Sequence, residues 1–122
     1  MKQVIFDSSF LMAVAETPTT WFEDMVHGVG KFQPVLPECV RKELERLASG
    51  QGRKARTARV CLEMASNFAA LPCGGAQVDD EIVSAALSSG SIVATADARL
   101  AQAARGAHLR VASLRKGRLA LD

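Results

Sequence analysis

The stretch Val78-Asp79-Asp80-Glu81-Ile82-Val83-Ser84-Ala85-Ala86-Leu87-Ser88-Ser89-Gly90-Ser91-Ile92-Val93-Ala94-Thr95-Ala96-Asp97 decides the fold. Its first part, Val78 to Ser89, reads as a helix. Two aspartates open it, where negative side chains suit the unpaired N–H groups of a first turn. Ile82, Ala85, Ala86 and Leu87 are expected to face inward. Gly90 closes it, because glycine takes a left-handed C-terminal cap without a Cβ clash. Ile92 to Thr95 is a short unbroken apolar run, the pattern of a strand covered on both faces. A helix feeding a buried strand is part of a βαβ unit, which implies a parallel sheet.

The alternation continues in both directions. Upstream, Lys2 to Phe6 reads as a strand ending at Asp7, and Ser8 to Ala15 as a helix. A second helical stretch, Thr20 to Val26, carries Trp21, Phe22, Met25 and Val26. Gln33 to Leu36 is a strand, and Pro37 starts a helix, where its fixed φ is welcome. That helix places Val40, Leu44 and Leu47 at spacings of four and three. Arg53 to Ala69 reads as a longer helix with Ala58, Leu62 and Ala65 on one stripe, and Ala70 to Cys73 as a third strand. Downstream, Ala98 to Arg105 reads as a short helix and Leu109 to Leu114 as a fifth strand. The expected architecture is one domain over residues 1–122: a three-layer α/β/α fold around a central, mostly parallel five-stranded sheet. Ser49 to Gly52 and Gly74-Gly75 are loops within it.

Composition narrows the function classes. The 122 residues fit one domain, and 48% are apolar, so the chain is expected to fold unaided. No apolar run approaches the roughly 18 residues of a membrane span. The opening MKQVIFD carries a charge directly behind its apolar residues, unlike a signal peptide, so the expected location is cytoplasmic. Cys39, Cys61 and Cys73 are odd in number and widely spaced, with no Cys-x-x-Cys, and read as reduced core thiols. Of the 15 basic residues, seven lie between Arg41 and Arg59 and six between Arg99 and Arg118. Such a distribution suits a polyanionic partner, although two solvated helix faces would look the same.

The acids stand at special places. In open parallel sheets, sites form beyond the carboxyl ends of the strands. Asp7 follows the first strand and Asp97 the fourth. Asp79 and Asp80 lie in the first turn of the helix before that strand, and Glu43 on the helix behind the second. Each has a plain alternative: Asp7, Asp79, Asp80 and Asp97 are all placed to cap helices, a role worth about 1 kcal/mol, and Glu43 could be a surface residue. Taken together they converge on one end of one sheet. Two carboxylates about 4 Å apart repel by roughly 4 kcal/mol at an effective dielectric near 20, a large share of the about 5–15 kcal/mol that stabilises a domain. Cations would relieve this. Hard oxygen ligands select Mg²⁺ or Mn²⁺. Neither His27 nor His108 lies beside these acids, and such a site points to phosphodiester chemistry.

This order of motifs resembles the PIN-domain family of ribonucleases, which includes VapC-type toxins and ribosomal-RNA processing nucleases. Asp7-Ser8-Ser9-Phe10-Leu11 is similar to the family's opening Asp-Thr-Asn/Ser-x-Leu. Val40-Arg41-Lys42-Glu43-Leu44 is similar to its helix with a metal-linked Glu-Leu. Val78 to Asp97 is similar to its third block, Asp-x-x-Ile, a glycine, an apolar strand and Thr-x-Asp. Leu109 to Leu119 resembles its final strand and ending. The spacing to Ile82 and Gly90 favours Asp79 as the third acid, with Asp80 an extra carboxylate that could share or take its role. The resemblance implies that Asp7, Glu43, Asp79 and Asp97 are catalytic and, with Asp80, hold one or two Mg²⁺ or Mn²⁺ ions, supported by Ser9 and Thr95. It implies an endoribonuclease whose metal-activated water leaves a 5′ phosphate and a 3′ hydroxyl. Arg53, Lys54, Arg56, Arg99, Arg115, Lys116 and Arg118 are expected to hold the RNA backbone, giving affinity and salt dependence rather than sequence choice.

Other readings follow from the same residues. A PIN fold without activity would bind RNA or protein only. A phosphotransfer domain would need a second aspartate in Asp7-Ser8-Ser9, or an acceptor aspartate within Leu71 to Gly74, and neither is present. A toxin would have an antitoxin partner. The Thr20 to Val26 segment, with Trp21 and Phe22, is a candidate homodimer face, with core packing as its alternative.

Overall fold

The computed structural model describes residues 1–17 and 19–122. In chain order its elements are β1 (Lys2–Phe6), α1 (Ser8–Glu16), α2 (Trp21–Val29), β2 (Phe32–Pro37), α3 (Glu38–Ala48), α4 (Arg53–Met64), β3 (Ala69–Leu71), α5 (Val78–Ser89), β4 (Ile92–Ala94), α6 (Ala98–Gly106), β5 (Val111–Arg115) and β6 (Arg118–Leu121). The apolar runs become the middle of the sheet. Val4, Ile5 and Phe6 are fully buried, as are Ile92, Val93 and Ala94. Two covered faces leave no room for polar alternation, which is why these strands read as continuous apolar segments.

The strands form one sheet in the order β3-β2-β1-β4-β5-β6. β1 pairs in parallel with β2 on one side and with β4 on the other, with Ile5 beside Val35 and Val93. The chain therefore builds outward from β1 in one direction and from β4 in the opposite one. The strand order reverses between these two, and in open α/β sheets that reversal opens a crevice at the carboxyl edge. Helices α1, α3 and α4 pack on one another, while α5 lies against β1 and β4, and α6 against β5.

The sheet has six strands rather than five. Lys116 and Gly117 both take positive φ, 51° and 76°, the combination that joins two strands through a two-residue turn. β6 then returns antiparallel along β5, Arg115 pairing with Arg118. Other expectations need correction. The helix expected to reach Ala69 stops at Met64, and turn bonds from Ser66 and Phe68 to Glu63 and Ala65 lead into β3. Leu87 is 56% exposed, because the inward stripe of α5 runs through Ile82 and Ala86 and Leu87 lies off it. Trp21 turns inward, edge-on to Phe6 and Phe10 at 5.6 Å, while Phe22 remains half exposed.

The cysteines hold the largest surprise. Only Cys61 is a free buried thiol; burial pushes it up to about 11. Cys39 and Cys73 form a disulfide, with Cα atoms 6.0 Å apart. They are 34 residues apart in the chain, but Pro37 of β2 pairs with Leu71 of β3, and each cysteine lies two residues past that pair. Spacing along the sequence carries no trace of this adjacency. Among the described residues, no helix is long and apolar enough to cross a membrane.

Candidate active site

Asp7 sits where the crevice opens. Its backbone N–H donates to Ala94 O at 3.0 Å, tying the end of β1 to the end of β4. The residue is 6% exposed, so its carboxylate needs donors. Thr95, fully buried, donates from Oγ1 to Asp7 Oδ2 at 2.9 Å. Ser9 Oγ donates to the same oxygen. The two hydroxyls lie 3.1 Å apart, so both supports converge on one side of the carboxylate.

The same hydroxyls organise the strand-four end. Ala96 N–H donates to Ser9 Oγ at 3.0 Å, and Asp97 N–H to Thr95 Oγ1 at 3.0 Å. Asp97 caps α6, its Oδ1 accepting from Arg99 N–H at 2.9 Å. Asp97 is thus a helix cap and a half-buried carboxylate on the crevice rim, so the plain alternative considered from sequence describes part of its role.

Glu43 projects from α3 and accepts from Ser8 Oγ at 2.7 Å. Ser8 is a supporting residue that sequence reasoning did not single out. It lies next to Asp7, but its partner is 35 positions away, and only the packing of α1 on α3 joins them. Asp79 and Asp80 come from the first turn of α5. Their neighbour Glu81 accepts from Gly74 N–H, which fastens the preceding loop to that turn.

Electrostatics shows that these acids share one field. The Asp79 carboxyl is raised above its ordinary value, first by burial and then by the charges of Asp7, Asp97, Asp80 and Glu43. The other four acids singled out from sequence therefore all bear on Asp79. Among the described residues no three of these side chains have closed into a ready-made ligand cage. The donor set is nonetheless uniform, carboxylate oxygens without thiol or imidazole, and fits a hard divalent cation. The repulsion felt by Asp79 is the strain that such a cation would relieve.

The basic residues divide between two places. Arg115 lines a cavity of about 200 Å³ together with Thr95, Asp97 and Ser113. Lys116 follows in the β5–β6 turn, Arg118 opens β6 opposite Arg115, and exposed Arg99 lies two residues past Asp97. Arg118 also faces Asp24 at 3.8 Å. Arg53, by contrast, faces Glu16 at 4.0 Å. Glu16 ends the nine-residue α1, roughly 13 Å along the axis from its start beside Asp7. Lys54 and Arg56 share that first turn of α4. Arg53 thus lies toward the end of α1 opposite to Asp7.

Comparison with known proteins extends this picture. A family model described as a PIN like domain matches residues 4–117. Among solved structures, one described as the PIN domain endonuclease Utp24 is similar at 27% identity and a TM-score of 0.78, over 98% of this chain and 90% of that one. A domain of a functionally unknown protein from Methanocaldococcus jannaschii DSM 2661 is similar at 18% identity, TM-score 0.63, over 100% and 97%. A protein from Pyrobaculum aerophilum, PAE2754, is similar at 20% identity, TM-score 0.57, over 86% and 81%. The last two concern the fold alone. No curated protein matches the chain.

Proposed function

Because this chain belongs to the PIN-like domain family, we propose that it is a divalent-metal-dependent endoribonuclease. The single observation that carries the proposal is the gathering of Asp7, Glu43, Asp80 and Asp97 around Asp79 at the β1–β4 crevice, near enough for each to raise its carboxyl. Such a concentration of like charge raises the Asp79 carboxyl and is suited to cations. The likeness to an endonuclease across nearly the whole chain supports the same reading.

Asp7, Glu43, Asp79 and Asp97, with Asp80 beside them, would hold one or two Mg²⁺ or Mn²⁺ ions. Bound there, such ions supply Lewis acidity toward water and toward the charge that develops on a phosphate. The protein's own part is positioning. Thr95 and Ser9 fix the Asp7 carboxylate, Ser8 fixes Glu43, and the Arg99 N–H fixes Asp97. Arg99 and Arg115 beside Asp97, with Lys116 and Arg118 following in the chain, would supply the positive charge that guides an RNA backbone past the carboxylates. A VapC-type toxin and a ribosomal-RNA processing enzyme would make the same cut; in the toxin setting, a partner protein would block it.

The test is cleavage of an unstructured RNA oligonucleotide with Mg²⁺, with Mn²⁺ and with excess EDTA. The expected result is cutting with either ion, none with EDTA, and products carrying a 5′ phosphate. Cutting that persists in EDTA overturns the metal reading. RNA binding without any cutting would favour a silent module instead.

A further inference from the structure

The disulfide lies between the two helices that carry Glu43 and Asp79. Cys39 is one turn before Glu43 in α3, and residues four apart on a helix share a face. Cys73 stands in the segment between β3 and α5, six residues before Asp79. Beside it, Gly74 N–H donates to the Glu81 carboxylate on α5. A continuous brace thus runs from α3 through Cys39–Cys73 and Gly74–Glu81 to the first turn of α5.

The pair is also placed to react. Both cysteines are half-buried, and Pro72 and Gly74 on either side of Cys73 are exposed, so a small thiol or disulfide has access. Cys39 N–H, in the first turn of α3, donates to Cys73 Sγ at 3.2 Å. A helix N-terminal N–H on sulfur favours the thiolate, the form that attacks and is released in exchange. Cys61 is the internal contrast: fully buried and closed to such chemistry.

We propose that Cys39 and Cys73 are a thiol–disulfide site that sets the spacing of the carboxylate cluster according to the redox state of small thiols around the protein. Oxidised, the bridge ties the segment that leads into Asp79 covalently to the helix that carries Glu43. Reduced, it leaves the 72–77 segment held by hydrogen bonds alone, those joining Gly74 and Gln77 to Glu81 and the one from Cys39 N–H to Cys73 Sγ, and the covalent tie between α3 and the approach to Asp79 is lost. Closing the bridge takes two electrons and two protons from the thiols. A low-molecular-weight disulfide of the glutathione type accepts them, its own S–S bond breaking to give two thiols.

The inference rests on the metal-site reading, so its test includes readouts that do not need metal. The full chain is prepared oxidised with glutathione disulfide, and reduced with a phosphine that is then removed without air. Thiol titration in denaturant is expected to find one thiol in the oxidised form, Cys61, and three in the reduced form. Without metal, amide exchange over residues 74–80 should quicken on reduction. Mn²⁺ affinity should fall roughly tenfold, as when an outer support of a metal site is lost. Cys39→Ser should match the reduced wild type in both conditions, and Cys61→Ser should respond as wild type does. If Cys39→Ser does not fold, the two forms of the wild type still give the comparison. Three titratable thiols in the oxidised protein, or equal exchange and equal Mn²⁺ affinity in the two forms, overturn the proposal. Faster exchange on reduction with no Mn²⁺ binding in either form would retain the thiol site and remove the metal reading.

Discussion

Asp7 and Asp79 face the same crevice but are held in opposite ways. Asp7 is the more buried, yet two hydroxyls donate to its carboxylate, and Thr95 in turn accepts from the Asp97 N–H. Asp79 is half exposed on the first turn of α5, and every influence on its carboxyl raises it. Burial alone does not make a carboxylate unstable; lack of donors among like charges does. The β1–β4 side of the site is finished by the fold, whereas the α5 side leaves Asp79 among like charges.

The sharpest way to break this comparison is Asp7→Asn. It keeps the shape and an acceptor for Thr95 but removes a charge from the centre of the cluster. RNA cleavage is expected to fall at least about 100-fold, more than an outer support would account for, with the circular dichroism spectrum unchanged. Wild-type activity in that variant would remove Asp7 from the chemistry.

Cutting the brace on the α5 side comes next. Under oxidising conditions Cys73→Ser should lower stability by about 2–4 kcal/mol, chiefly by freeing the unfolded chain. Denaturant titration measures this, and the difference should vanish in reductant.

Thr95→Val tests the finished side. It leaves Asp7 Oδ2 with one hydroxyl and the Asp97 N–H without its acceptor, an expected loss of about 1–3 kcal/mol. Reduced cleavage should accompany it.

The smallest effect is expected at Asp79→Asn, and its sign is opposite. A carboxyl raised in the fold destabilises the fold when ionised. The penalty is present at neutral pH and fades as pH falls through the raised value toward the ordinary 3.8. Metal-free Asp79→Asn should therefore be more stable than wild type at pH 7, by less than about 1 kcal/mol after solvent screening, and should show no advantage near pH 3. Thermal scans across pH check this.

The contrast also marks what the sequence could disclose. Period and chain order make β1, α5 and β4 legible, because an apolar run ending in a polar residue has one reading in a covered sheet. They place Asp7 and Asp97 on one edge, since both follow strands that point the same way. Contacts made across the chain leave no such trace. The Ser8–Glu43 bond, the inward turn of Trp21 and the Cys39–Cys73 bridge each depend on which elements become neighbours. The same reason separates Arg115 from Arg53: both stand in basic runs, but the strand order carries one to the crevice and α4 leaves the other at the far end of α1.

The most direct test of the central claim is the unfolding temperature of the metal-free protein as Mn²⁺ is added, measured for wild type and for Asp7→Asn. A cation that belongs among these carboxylates stabilises the fold by mass action, about 2.7 kcal/mol at a hundredfold excess over Kd. The account predicts a saturable rise for wild type and a rise lost or greatly weakened in Asp7→Asn. No rise in wild type, or an equal rise in both proteins, would contradict it.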